Sequence, residues 1–368
     1  MATDKFTGKK EPGIGQTLWN DVRRGDLKRT LWEDIREVQS FFLSREQKAK
    51  LENYNWFRRA AYLTVWMLKI LILKLTPVRR LLLVIALVFL VAGKDNGISG
   101  TGQDFNYQFM ISLFIIIFLL LLELKDKLLA REELEAGKAV QSALMPRQQP
   151  PVPGWDIWLF SRSANEVGGD LLDFLQVNEN EYRTALGDVS GKGLGAALIM
   201  AKLQATLRAL AQEKFSLDEL GRKVNTIFCR DTVPSCFVSL IYLQICANNG
   251  AINYINAGHL PPLVLNKKGI RELAKGEAAI GLSEGAVYRE KQIVLESGEM
   301  LLVYSDGLTE ARNLQGEFFG DNRLHKMLPA VGRLSAASAG RYIVDTIEKF
   351  MGEARATDDL SLMILRRL

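Results

Sequence analysis

The sequence predicts an α+β fold, an antiparallel sandwich set behind a membrane-associated helical region. Three observations predict it. Apolar runs rich in β-branched and aromatic residues recur through residues 154–368, several separated by turn signals such as Asn248-Asn249-Gly250 and Asn266–Gly269. Helical patterns in that segment fall in pairs instead of alternating with the strands, so the order of a parallel β-α-β sheet is missing. Upstream, Leu81–Ala92 and Phe109–Leu122 are strongly apolar.

With 368 residues the chain has room for about two domains of ~100–200 residues each. Residues 1–75 read as a polar and amphipathic helical region. There Thr17–Arg23 is echoed by Thr30–Arg36, and Leu31, Ile35, Val38 and Phe42 recur at helical spacing. Residues 76–124 read as a transmembrane helical hairpin. Its arms extend to about Thr76–Gly93 and Tyr107–Leu124, the second close to the ~20 residues that span a bilayer. Ala60–Leu75 carries Lys69 and Lys74 and reads as interfacial. Both outer flanks are basic (Arg79, Arg80; Lys125, Lys127, Arg131), which places both ends in the cytoplasm and the protein in the inner (cytoplasmic) membrane as a multi-pass chain.

Residues 125–153 read as a helical linker that stops at a joint rich in proline (Pro146, Pro150, Pro151, Pro153). It is either a transmitter between membrane and catalytic domain or a solvated spacer. In 154–368, strands are expected at Trp155–Phe160, Leu171–Val177, Tyr182–Asp188, Cys236–Cys246, Ala251–Asn256, Leu263–Asn266, Gln292–Leu295, Met300–Tyr304 and Leu360–Leu365. Helices are expected at Leu194–Gln212, Ser216–Arg230, Gly320–Leu328 and Ser335–Met351.

Composition narrows the chemistry. The 47 Lys+Arg against 42 Asp+Glu leave a net charge of +5. The excess is concentrated around apolar sequence in the N-terminal third, which suits a membrane surface better than nucleic acid. The three cysteines lack metal-ligand spacing and, being odd in number, make no disulfide framework. Only two histidines, His259 and His325, are present, which disfavours histidine-rich metal sites and phosphohistidine chemistry. No G-x-S-x-G elbow supports a Ser-His-Asp triad.

The chemistry instead gathers on aspartates in glycine-rich frames: Gly168-Gly169-Asp170, Gly187-Asp188-Val189-Ser190-Gly191, Ser305-Asp306-Gly307 and Thr357-Asp358-Asp359. Each abuts a hydrophobic strand. A lone Asp-Gly is ordinarily a turn, but four such acids at strand ends can converge on a hard cation such as Mg²⁺ or Mn²⁺. Gly187–Lys192 has the wrong spacing for a P-loop, and Gly193 stands where that motif needs a hydroxyl. Asp188 at its strand end reads as a metal ligand, with the Val189 carbonyl beside it. Asp170 and Asp173, three apart in extended chain, point to opposite faces. Asp170 is the expected ligand, and Asp173 would hold water, orient a neighbour or stand exposed. Gly168-Gly169-Asp170 alone suggests a nucleotide cyclase, but the remaining cyclase motifs are absent.

These residues resemble the bacterial SpoIIE/RsbU-type serine/threonine phosphatases of the PPM (PP2C-like) family. The passages that carry the resemblance are Ala136–Pro146, Val167–Asp173, Gly187–Gly193, Asn256–Pro262, Ser305–Asn313 and Thr357–Ser361. They span about residues 136–368, and residues 1–124 lie outside them. The resemblance implies an αββα sandwich, two antiparallel sheets flanked by helix pairs, with two Mn²⁺ or Mg²⁺ ions at one edge. Asp188 would bridge the ions and hold the nucleophilic water, Val189 would lend its carbonyl, Asp170 would complete one shell, and Asp306 and Asp358 the other. Asp359 is the alternative to Asp358.

The implied reaction is hydrolysis of phosphoserine or phosphothreonine by a metal-activated water, with a phosphorylated STAS-domain anti-anti-sigma factor as substrate in partner-switching signalling. Relatives in the wider family carry a histidine where this chain has Ser190, which leaves the general acid unassigned. His259 reads as a structural hydrogen-bonding residue. Lys192, placed to contact phosphate or simply solvated, and Asn313, placed to order the loop after Asp306, take supporting places with Asp173 and Asp359. A homodimer through the linker helix is a further expectation. The alternative is a non-catalytic signalling module of the same fold, docked at the membrane; its mark would be lost metal-site acids, and none is lost.

Overall fold

The computed structural model describes residues 72–92, 107–213, 215–233 and 236–368, together with Arg58, Tyr62, Trp66 and Lys69. The expectations for the amphipathic repeat at 17–36, for most of the interfacial segment at 60–75 and for the loop at 93–106 lie outside the described residues. The chain forms two compact units, one up to Asp126 and one from Lys127 onward.

In the first unit, α1 (Pro77–Ala92) and the opening part of α2 (Tyr107–Leu144) run antiparallel. Two contacts set the register. The hydroxyl of Ser112, the lone polar group in its apolar run, donates to the Ala86 carbonyl at 2.8 Å, and so is satisfied although fully buried. Arg79, near the start of α1, pairs with Glu123 at 3.0 Å and Asp126 at 2.6 Å. By length and composition α2 is long and apolar enough to cross a membrane. At 16 residues, α1 is shorter than the ~20 a span requires. The charged stretch from Glu123 continues α2 as a helix, and the helix stops at Leu144, ahead of Pro146.

The second unit holds two five-stranded antiparallel sheets. One has the order β1-β10-β9-β6-β7, built from β1 (Trp155–Arg162), β6 (Leu263–Asn266), β7 (Gly269–Glu272), β9 (Met300–Tyr304) and β10 (Leu360–Arg367). The other has the order β2-β3-β4-β5-β8, built from β2 (Leu171–Gln176), β3 (Glu181–Val189), β4 (Val238–Cys246), β5 (Ala251–Ala257) and β8 (Lys291–Val294). Helices α3 (Leu194–Leu210) and α4 (Leu217–Asp231) pack on the second sheet; α5 (Gly320–Val331) and α6 (Ala336–Met351) pack on the first.

The period-2 alternation of a strand explains the layering. In β10, Leu362 and Ile364 face the helices while Met363 and Leu365 face the other sheet. Between the sheets, Ile157, Leu159, Leu301 and Val303 meet Leu172, Leu186, Ile241 and Leu243. Each such side chain, fully buried, is worth roughly 1.5–3 kcal/mol. The sequence-based reading missed β7, an edge strand whose exposure leaves Ile270 as its only apolar residue, so no alternation marks it. It also began the β4 run two residues early, at Cys236.

Strand directions put the site at one rim. β2 and β3 are antiparallel, with Leu171 opposite Gly187, so the start of β2 and the end of β3 lie together. β9 and β10 are antiparallel, with Tyr304 opposite Leu362, which brings the end of β9 beside the start of β10.

The α6 face that covers the first sheet is closely fitted. A Cβ on Gly340 would stand 2.0 Å from the Trp158 ring, which stacks on Phe160. Gly340→Ala is therefore expected to destabilise the fold by roughly 1–3 kcal/mol in urea unfolding. A stabilisation of up to about 1 kcal/mol, which helix propensity alone would give, would contradict this packing.

Candidate active site

Asp170 immediately precedes β2, Asp188 is the penultimate residue of β3, Asp306 follows β9 within a 3₁₀ turn (Asp306–Leu308), and Asp358 lies two residues before β10. All four are thus delivered by strand ends of the two sheets. Val189, buried at the end of β3, sits close to Gly169: a Cβ on that glycine would be 3.4 Å from the Val189 carbonyl oxygen.

The neighbouring acids Asp358 and Asp359 have different surroundings. Asp359 is buried and its carboxylate grips backbone: Oδ1 accepts from Ala164 N–H at 2.8 Å, and Oδ2 from Gly169 N–H at 2.6 Å and Asp170 N–H at 3.4 Å. Gly168 has no side chain for a steric reason, since a Cβ there would lie 2.5 Å from Asp359 Oδ2 and from Ser163 Oγ. Below, Gly307 closes on the Asp359 carbonyl, which also accepts from Ser305 Oγ at 3.1 Å. Asp358 stays at the rim, with its Oδ2 accepting from the Lys192 ammonium at 2.8 Å.

Burial and mutual repulsion raise the affinity of these acids for protons. Desolvation is the main cause at Asp188; the charges of Asp306, Asp358 and Asp359 add to it, Lys192 opposes it, and the carboxyl is pushed up to about 7. Asp170 is raised well above the usual range, first by burial and then by Asp188 and Asp359, with the Ser361 hydroxyl as the main opposing influence. Asp306 is raised by burial, Asp358 and Glu310. Asp170 Oδ2 is buried with no hydrogen-bond partner. Among the described residues no three acids stand close enough to hold an ion as they are; the counter-charge at the rim is Lys192. A set of carboxylate and carbonyl oxygens, one of them buried and unpaired, nevertheless fits a hard divalent cation and no softer metal.

The other expected site residues lie apart from this group. Asp173 is buried on β2, on the helix side, where it accepts from Arg208 at 2.6 Å and from Gln204 at 3.0 Å. That pair fastens α3 to the sheet. Asn313 Oδ1 accepts from the N–H groups of Gln315 and Glu317, which orders the loop after the 3₁₀ turn. Ser190 Oγ accepts from Phe237 N–H at 2.9 Å. His259 is buried, contacts Ser239 Oγ through Nδ1 at 3.1 Å and is braced by Asn256; burial lowers its pKa to about 4, so it is neutral near pH 7. Burial raises the thiols of Cys229 and Cys246, which disfavours nucleophilic thiolates there.

Sequence reasoning assigned no role to Gln141 or to Ser305 and Ser361. The Gln141 amide on α2 clamps Gly168 from both sides, donating to its carbonyl at 2.8 Å and accepting from its N–H at 3.0 Å. Gln141 lies inside the Ala136–Pro146 passage, which was the available signal. Ser305 and Ser361 likewise lie inside the Ser305–Asn313 and Thr357–Ser361 passages.

The family model described as Stage II sporulation protein E (SpoIIE) matches residues 178–368, more than half of the chain. The chain belongs to the SpoIIE family. Protein IcfG of Synechocystis sp. is 30% identical over 236 residues, covering 56% of this chain and 37% of that protein. Phosphoserine phosphatase RsbU of Bacillus subtilis is 27% identical over 239 residues, covering 64% of this chain and 70% of RsbU. The chain therefore spans little more than a third of IcfG. Among solved structures, the SiaA-PP2C domain of Pseudomonas aeruginosa superposes with a TM-score of 0.59 at 20% identity, over 66% of this chain and 98% of that domain. That likeness establishes the PP2C-like αββα fold, in agreement with the layers described above.

The raised carboxyls give stability a definite pH slope. Where a carboxyl's folded pKa exceeds its unfolded value, the folded state binds more protons between the two, and stability falls as pH rises through that window. For Asp188 the window runs from about 4 to about 7. His259, neutral in the fold and protonated near pH 5 when unfolded, gives the opposite slope, so the contrast is read against a variant. Between pH 5 and pH 8, chelator-treated wild type is expected to lose more melting temperature than chelator-treated Asp188→Asn. That range lies above the titration of Asp218 and Asp231, whose pKa values are lowered by surface partners. Thermal melts across it check the sign.

Proposed function

We propose that the chain is a metal-dependent protein-serine/threonine phosphatase. The observation that carries the reading is the delivery of Asp170, Asp188, Asp306 and Asp358 to one rim by strand ends of both sheets, with Asp170 Oδ2 buried and unpaired. Asp188, the Val189 carbonyl and Asp170 would hold one Mn²⁺ or Mg²⁺ ion, and Asp188, Asp306 and Asp358 a second. Bound there, the pair of ions supplies an acidified water and neutralises charge on the phosphoryl group.

The chain's own residues do the rest. Asp188, its proton affinity raised by burial and by the neighbouring acids, would hold the ions in its ionised form. Asp359 keeps the Gly169-Asp170 backbone in place, and Gly168 admits that contact. His259, neutral and buried, takes no part as an acid, and Ser190 is engaged with Phe237. Water at the rim is the proposed proton donor to the leaving serine. The relative RsbU is a phosphoserine phosphatase, which supports phosphoserine as the group attacked.

A phosphorylated STAS-domain anti-anti-sigma factor is the proposed substrate, in a partner-switching pathway. The proposed setting is the inner membrane. The hairpin at 76–124 would cross twice, the phosphatase domain would lie in the cytoplasm, and the linker helix would pair two copies. The antiparallel pairing of α1 with α2 supports the hairpin, and the apolar length of α2 supports a span by that helix.

The test is turnover by the full chain in detergent with Mn²⁺, on a phosphoserine STAS protein and on an aryl phosphate. Asp188→Asn is expected to lose more than about 100-fold, beyond what an outer partner of a metal ligand costs. EDTA is expected to abolish turnover, and replacing all three cysteines by serine to leave it. Wild-type turnover by Asp188→Asn would sink the reading.

A further inference from the structure

Lys192 is the charged residue of the rim whose place the reaction does not explain. Its ammonium donates to the Asp358 carboxylate at 2.8 Å and to the Thr357 carbonyl at 2.7 Å, joining the loop after β3 to the start of β10. Those bonds sit on one of the carboxylates assigned above to a divalent cation. An ammonium and a divalent ion on one carboxylate repel each other, so the two compete for it.

The local backbone suits a group that comes and goes. Lys192 stands between Gly191 at φ +112° and Gly193 at φ +72°, and a Cβ on either would meet nothing within 4 Å. The lysine side chain is 56% exposed and its partner 35%. The contrast with Asp173 is instructive. That carboxylate, 7% exposed, is held by the fork of Arg208 and by Gln204. A planar guanidinium fork on a buried acid is a fixture; a single ammonium at a half-exposed one is easily exchanged.

We propose that Lys192 is a displaceable counter-ion of the acidic rim: its ammonium neutralises Asp358 and ties the Gly191–Gly193 loop to β10 until a divalent cation takes that carboxylate and expels it. This rests on the reading of the rim as a Mn²⁺ or Mg²⁺ site. The chain thereby carries its own competitor for metal, which lowers apparent affinity and keeps the empty rim from flying apart. Arg183 and Arg208 are committed to Glu181 and Asp173; the charge opposing the acids at Asp188 and Asp306 is that of Lys192.

Mn²⁺ titration calorimetry on the full chain in detergent, with melting of the chelator-treated protein, tests the proposal on wild type, Lys192→Met, Lys192→Arg and Asp188→Asn. Lys192→Met keeps the aliphatic stem and removes the charge. It is expected to bind Mn²⁺ on the order of fivefold tighter than wild type, the worth of one exposed ion pair. Its chelator-treated form should melt lower than wild type, and Lys192→Arg should stay near wild type in both measurements. Equal or weaker Mn²⁺ binding by Lys192→Met, with wild type binding and Asp188→Asn failing to bind, overturns the lysine's role and leaves the metal site standing. Wild type that binds no Mn²⁺ overturns both.

Discussion

The carboxylate of Asp359 is the contact on which the rest of the site depends. It belongs to the loop leading into β10 of one sheet, and it holds the Gly169 N–H at the start of β2 in the other. Packed sheets ordinarily meet only through apolar side chains, which allow some sliding. A charge-assisted bond to backbone is directional, and here it is buried, where an unmade partner would cost about 1–3 kcal/mol or more. The two halves of the acidic rim are thereby held in one relation; the absence of a side chain at Gly168 follows from the room this contact needs, and that at Gly307 from the Asp359 backbone carbonyl beside it.

That grip has an electrostatic consequence. Fixing the sheets together also fixes Asp170, Asp188, Asp306 and Asp358 near one another and partly out of water, a state the chain resists by raising their proton affinity. Three things can relieve it: protons, a cation from solution, or a cation from the chain. The proposed mechanism would need the second, and the Lys192 ammonium at Asp358 is the cation of the chain at the rim. Hydrophobic packing elsewhere carries the strain, since three apolar layers cover both faces of each sheet.

The sandwich was legible from periodicity because its strands are buried on both faces or alternate cleanly, and because its helices bury apolar residues at helical spacing. Leu263–Asn266 and Met300–Tyr304 appear with the bounds read from sequence. Ser335 caps α6 through its hydroxyl, as its position ahead of the helix suggests. β7 was hidden because an exposed edge strand needs only backbone pairing with β6, which leaves no trace in hydrophobicity. Period-2 geometry separated Asp170 from Asp173, but that Asp173 belongs to Arg208 followed only from the way α3 lies across β2.

By itself the sequence determined the fold class, the acids at the strand ends and the family, because hydrophobic period and local glycine frames are properties of neighbouring residues. It could not divide the labour between Asp358 and Asp359. Adjacent carboxylates are chemically alike until one meets a backbone N–H from 190 positions away and the other an ammonium from across the rim. Only tertiary structure chose, because partners distant in the chain decide whether a charge is held, shared or left free.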